Sequence, residues 1–186
     1  MMQEAHQFLG MALALLGGLG LLAGFVLLIF PASLRAGLVA FPRSKWPGWI
    51  LTAVGIFWVA WVIQHASLGR FEGFKPLIPV AAILLFAAMV YFLDELLAPR
   101  ALGGILLLVA NPILNGVRWA DSAWRFVPVI IAYAWVIAGC ALMLHPWLFR
   151  RWTERLICSD RSLRMIGWTK LVGGGVLLAA GLMQLR

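Results

Sequence analysis

The sequence predicts an all-α integral membrane protein: about six transmembrane helices arranged as three hairpins. Three observations lead there. Of 186 residues, 63% are hydrophobic and only 12% are charged, where an ordinary globular domain carries about 25% charged residues. Mean hydropathy is +0.96. A soluble domain of this size keeps much of its surface in water, so this much apolar surface calls for lipid. The apolar residues also come in continuous runs, not in alternation. That pattern selects helices, which satisfy their own backbone in lipid, over barrel strands.

Six runs approach the roughly 20 residues that a bilayer core requires. They cover about 8–30, 46–63, 76–93, 98–117, 126–149 and 165–185, in a single transmembrane domain spanning 1–186. The first follows "MMQEAHQ", which contains Glu4 and no Lys or Arg. Without a basic leader or a clear cleavage site, this run is expected to stay as the first helix. The third opens at Pro76, where a missing N–H does no harm. The third and fourth runs are short enough to form a re-entrant pair instead of two crossings.

Two connectors are expected to lie in the interface. After the first run, "PASLRAGLVAFPRSKWPGW" carries Pro31, Pro42 and Pro47, which mark the end of one span, a break, and the start of the next. Its middle is too short to cross and apolar enough to lie in the headgroup layer. After the fifth run, "HPWLFRRWTERLICSDRSLR" reads as an amphipathic helix. Leu148, Phe149, Trp152 and Leu156 share one face; Arg150, Arg151, Glu154 and Arg155 mostly occupy the other. Ser159 or Asp160 is placed to cap the sixth helix. The two connectors also align without gaps, "AGFVLLIFPASLR" on "AGCALMLHPWLFR". This match fits either a duplication of the first and last hairpins or the shared grammar of membrane hairpins. The orientations are alike, so it is not the inverted repeat of many transporters.

Charge sorts the connectors by side. Arg35, Arg43, Lys45, Arg100, Arg150, Arg151, Arg155, Arg161, Arg164 and Lys170 fall on one side; Arg70, Lys75, Arg118, Arg125 and Arg186 fall on the other. The richer side is expected in the cytoplasm, with both termini on the non-cytoplasmic side of a plasma (inner) membrane of bacterial type. Net charge is +8, but the basic residues flank apolar runs. Anionic headgroups are therefore the expected partner, and nucleic acid is not. Trp46, Trp49, Trp147, Trp152 and Trp168 on the basic side, with Trp119 and Trp124 opposite, read as interfacial belts.

Candidate sites follow from polar groups in apolar surroundings. Arg35, Arg43, Lys45, Arg150, Arg151 and Arg155 are expected to hold lipid headgroups or a partner protein. Asn111, Pro112, Asp94, Glu95 and Lys170 are expected to form either a polar path or helix-packing contacts. Proline frees a backbone carbonyl, and the Asn amide can satisfy it or reach a neighbouring helix. Asp94 and Glu95 stand near a helix end, where pairing with Arg100 competes with ion handling. Gly17, Gly20, Gly24, Gly173 and Gly174 let helix backbones approach closely, within the chain or against another protein.

Other chemistry is not encoded in a recognisable way. His6, His65 and His145 are scattered, which argues against haem or metal, and no cofactor is expected. Cys140 and Cys158 form no C-x-x-C motif and read as free thiols. HExxH, Walker A, GxSxG and GxGxxG motifs do not occur, and no catalytic residues are assigned. The expected function is a non-catalytic accessory or scaffold subunit of a larger inner-membrane complex. It would bind other membrane subunits, or copies of itself, through Gly-rich helix faces and its basic rim. The competing reading is a small transporter or channel with a polar path near Asn111, Asp94 and Glu95.

Overall fold

The computed structural model describes residues 2–92, 96–156 and 159–185. It contains α1 (Met2–Ile29), α2 (Pro31–Ala40), α3 (Lys45–His65), α4 (Ile78–Phe92), α5 (Leu97–Val117), α6 (Phe126–Leu144), α7 (Trp147–Leu156) and α8 (Asp160–Gln184). Short 3₁₀ segments cover Phe41–Arg43, Gly69–Leu77 and Ala123–Arg125. No strand occurs among the described residues. Six helical stretches are long and apolar enough to cross a membrane: Gln3–Ile29, Lys45–His65, Gly69–Phe92, Leu97–Val117, Ala123–Leu144 and Arg161–Gln184. The multi-pass composition expected from the sequence is therefore matched by helices of sufficient length.

Prolines set the helix ends. Phe30 (φ −122°, ψ 51°) and His145 (φ −131°, ψ 72°) leave the helical region immediately before Pro31 and Pro146. A following proline disfavours the α conformation in the residue before it. The fifth span consequently ends at Leu144, not at 149, and Trp147 to Phe149 belong to α7. The two aligned sequence segments thus fold alike, each giving a long helix, a break and a ten-residue helix. At the start of the third span the helical path begins earlier than Pro76, in 3₁₀ form from Gly69, which takes φ +54°. Before α8, Ser159 supplies the cap: its hydroxyl accepts from the Arg161 N–H at 3.2 Å.

Packing does not follow the expected hairpins. The most extensive contact joins the two ends of the chain, α1 on α8. After it come α5 on α6, α3 on α5, and α3 on α4. Spans therefore pack as first with sixth, fourth with fifth, second with fourth and, less extensively, second with third. The pairs across the basic connectors (first with second, third with fourth, fifth with sixth) are not among the closely packed ones. The inserted helices α2 and α7 account for part of this, since they hold the ends of the flanking spans apart.

Glycines explain which pairs meet. Gly10, Gly17 and Gly24 on α1 face Gly181, Gly174 and Gly167 on α8, in antiparallel order. A β-carbon on Gly17 would stand 2.7 Å from the Gly174 carbonyl oxygen, and one on Gly174 would stand 2.8 Å from that of Gly17. A β-carbon on Gly24 would stand 2.8 Å from the Gly167 oxygen, and one on Gly181 would stand 2.8 Å from that of Gly10. A glycine at every seventh position keeps one stripe on the partner, as in a coiled coil. Gly103 of α5 and Gly139 of α6 form a similar crossing, where an added β-carbon would stand 2.7 and 2.8 Å from the other's carbonyl oxygen. Where α1, α5 and α6 converge, Leu9, Leu13, Val117 and Ala120 are fully buried. The Gln184 amide donates to Ser122 Oγ at 3.4 Å and ties the end of α8 to the α5–α6 loop.

Candidate functional site

The basic residues gather at one end of the bundle. There α2 meets α7, with the Phe41 and Phe149 rings 5.0 Å apart. Three clefts open at this end. One, of about 700 Å³, lies between α2 and α7 and is lined by Arg43, Arg150, Arg151 and Trp147. A second, about 860 Å³, runs along α2 past Arg35 and Arg43. A third, about 410 Å³, holds Arg43, Lys45 and Trp49 beside the start of α5. Arg43 lines all three, while Arg155 does not line them.

α7 presents these arginines because its inner face is anchored. Phe149 and Thr153 are its buried residues, one turn apart. Thr153 replaces the expected Leu156, which is exposed. The hydroxyl is tolerated there because it donates to the Phe149 and Arg150 carbonyls, each at 2.9 Å. Arg150 Nε pairs with Glu154 Oε1 at 3.2 Å. Both side chains are well exposed, so the pair orders the surface and adds little stability.

This rim suits phosphate-bearing headgroups. Arginine forks take phosphate bidentately, and each basic residue near an anionic surface contributes about 1 kcal/mol. Combined Arg43→Gln, Arg150→Gln and Arg151→Gln substitutions should lower the anionic lipid retained per purified chain by tenfold or more, roughly fivefold per charge before competition. Native mass spectrometry of the wild type and variants would measure it; unchanged lipid occupancy would remove the rim from consideration.

The polar-path candidates are dispersed. Asn111 and Pro112 are exposed, and α5 continues as a helix through the proline. The Asn111 Oδ1 accepts from Asn115 Nδ2 at 3.0 Å, on the same helix. Asn115 was not singled out from the sequence, although its i+4 spacing is the available signal. Lys170 lies elsewhere, in a crevice of about 360 Å³ between α1, α6 and α8. That crevice contains neither Asn111 nor Pro112. Asp94 and Glu95 lie outside the described residues, as does Cys158. Arg100 has a buried Nε without a hydrogen-bond partner among the described residues.

The glycine candidates divide in two. Gly17, Gly20, Gly24 and Gly174 are committed to the α1–α8 contact. They are therefore not available as faces for another protein, because the chain's own termini-proximal helices occupy them. A β-carbon on Gly173 would meet nothing within 4 Å, so this residue faces outward and does not pack. Gly10, Gly167, Gly103 and Gly139 were not singled out; the seven-residue spacing within α1 and α8 is the signal that identifies the first two. Cys140 is a free, exposed thiol. The described residues contain no group of three His, Cys, Asp or Glu able to hold a metal. No protein-family model, curated protein or solved structure matches the chain.

Proposed function

We propose that the chain is a six-span inner-membrane protein, termini outward, that serves as a non-catalytic subunit of a larger membrane assembly. One observation carries this reading. The polar groups within the apolar helices, Lys170 and the Asn111–Asn115 pair, are exposed on the bundle, and the crevice that holds Lys170 contains neither asparagine. A transport path needs such groups enclosed together around a route. Groups that face outward from apolar spans instead require something outside the chain to satisfy them, because lipid tails cannot.

The partner surface is then not the one the sequence suggested. Most glycines are used internally, so docking falls to the outward faces around Gly173 and Asn111 and to the arginine rim. The rim would also rest on anionic headgroups, which fixes orientation relative to the bilayer.

Purification of the full chain from its own membranes in mild detergent tests the proposal. The expected result is one or more other membrane proteins at constant stoichiometry. A chain that migrates alone, or only with copies of itself, would overturn the subunit reading and favour a small transporter.

A further inference from the structure

We infer that the two clefts sharing Pro42, Arg43 and Leu96 together bind one phospholipid that carries two phosphates, with a phosphate on either side of Arg43. The inference rests on the reading of the arginine rim as a headgroup surface and narrows that surface to one lipid class.

The clefts adjoin. Pro42, Arg43 and Leu96 line both the cleft between α2 and α7 and the cleft beside the start of α5. Arg43 therefore stands on the ridge between them. It closes the 3₁₀ turn Phe41–Arg43 that follows α2. That turn is held in place, because Pro42 is buried and the Phe41 ring packs on Phe149. Arg43 itself is exposed, and its side chain makes no ion pair or hydrogen bond with a described residue.

Each cleft has donors of its own. The first is lined by Arg150 and Arg151. Glu154 takes Arg150 Nε at 3.2 Å, which leaves the terminal guanidinium nitrogens for phosphate oxygens. The second is lined by Lys45 and Trp49. The Trp49 indole Nε1 is buried and has no hydrogen-bond partner among the described residues. A buried N–H without an acceptor is costly, and a phosphate oxygen in this cleft would supply one. Leu96 and Leu97, at the start of α5, form the facing wall, and no side chain caps that helix. The positive end of its dipole favours the same anion.

Charge sets the number of phosphates. Among the described lining residues, Arg43, Arg150 and Arg151 meet a single acid, Glu154. Three positive charges less one negative leave two, before Lys45 is counted. One phosphodiester brings one negative charge; two joined through a single glycerol bring two. Joining them also makes the second contact intramolecular, so it adds affinity without a second loss of freedom. The clefts suit a lipid because apolar groups share their walls, Val39 and Trp147 in the first and Leu96 and Leu97 in the second. They also open where tryptophans and basic residues mark the headgroup level.

The test uses the full chain, stripped of lipid in mild detergent. It is titrated with diphosphatidylglycerol, or with phosphatidylglycerol at equal total phosphate, and native mass spectrometry counts the lipid bound. One diphosphatidylglycerol per chain should bind roughly tenfold more tightly than phosphatidylglycerol. Arg43→Gln should reduce that preference to about twofold or less. So should Trp49→Phe, which keeps an aromatic ring and removes the N–H. Arg118→Gln, at the other end of the bundle, should retain it. Equal affinity per phosphate in the wild type, or a preference that survives Arg43→Gln, would overturn the inference. Displacement of the lipid by soluble glycerol bisphosphate at matching concentration would overturn it too, marking a site for a soluble ligand. If both lipids bind equally and both are lost when Arg43, Arg150 and Arg151 are replaced together, the rim stands as a headgroup surface and the bridged site alone falls. If neither lipid binds the wild type, the rim reading falls with it.

Discussion

Gly174→Ala is expected to break the α1–α8 pair, while Gly173→Ala, one residue away, leaves it intact. The added methyl at 174 would sit 2.7 Å from the Leu21 backbone nitrogen and 2.8 Å from the Gly17 carbonyl oxygen. These are main-chain atoms of a helix, so neither can rotate aside. Relief requires the two helices to separate along their length, and the other glycine contacts of the stripe loosen with them. Overpacking of this kind costs about 1–3 kcal/mol or more. The opposing gain, from replacing glycine by alanine in a helix, is roughly 0.5–1 kcal/mol. Sterics win at 174. At 173 nothing lies within 4 Å, so only the propensity gain remains. Thermal unfolding of each variant in detergent measures the contrast: a midpoint lower by several degrees for Gly174→Ala, and unchanged or slightly higher for Gly173→Ala. Equal midpoints would refute the assigned helix faces.

Gly139→Ala should destabilise the α5–α6 crossing by a comparable amount, and the effect should not add to that of Gly103→Ala. Each β-carbon is aimed at the other glycine's carbonyl oxygen, at 2.7 and 2.8 Å. Once one methyl has pushed the helices apart, the second finds room already made. Contacting residues couple in this way by about 0.5–3 kcal/mol. The damage also spreads, since α5 packs against α1 and α3 as well as α6. A double-mutant cycle on unfolding midpoints should therefore give a double variant far less destabilised than the sum of the singles. Strict additivity would mean that the two glycines do not share one contact.

Much of the architecture was legible because it is local. Pro31 and Pro146 announced the helix breaks, and the backbone at Phe30 and His145 obeys them. The apolar runs announced six helices of spanning length. Even so, apolarity alone carries the fifth run through Phe149, because Leu, Trp and Phe after Pro146 look apolar whichever helix they join. Thr153 on α7 is hidden from the sequence for a related reason: its polarity suggests exposure, and only the folded helix shows the Phe149 and Arg150 carbonyls that satisfy the hydroxyl.

The candidate site was legible in composition and not in arrangement. Arg43, Arg150 and Arg151 could be named as a basic group, but their shared cleft depends on α2 meeting α7. Asn111 and Lys170 could be named as polar residues in apolar spans, but a sequence does not reveal which way each faces.

From the sequence alone come the helical class, the number of spanning-length segments, the breaks between them and the basic end. These follow from backbone hydrogen bonding and proline geometry, which act within a few residues. Tertiary structure alone decided that the first and last helices pair, that most glycines are spent inside the chain, and that Lys170 opens on a lateral crevice. A helix satisfies its own backbone and so is indifferent to its neighbour; only side-chain shape across the contact chooses among apolar helices, and that choice is made in three dimensions.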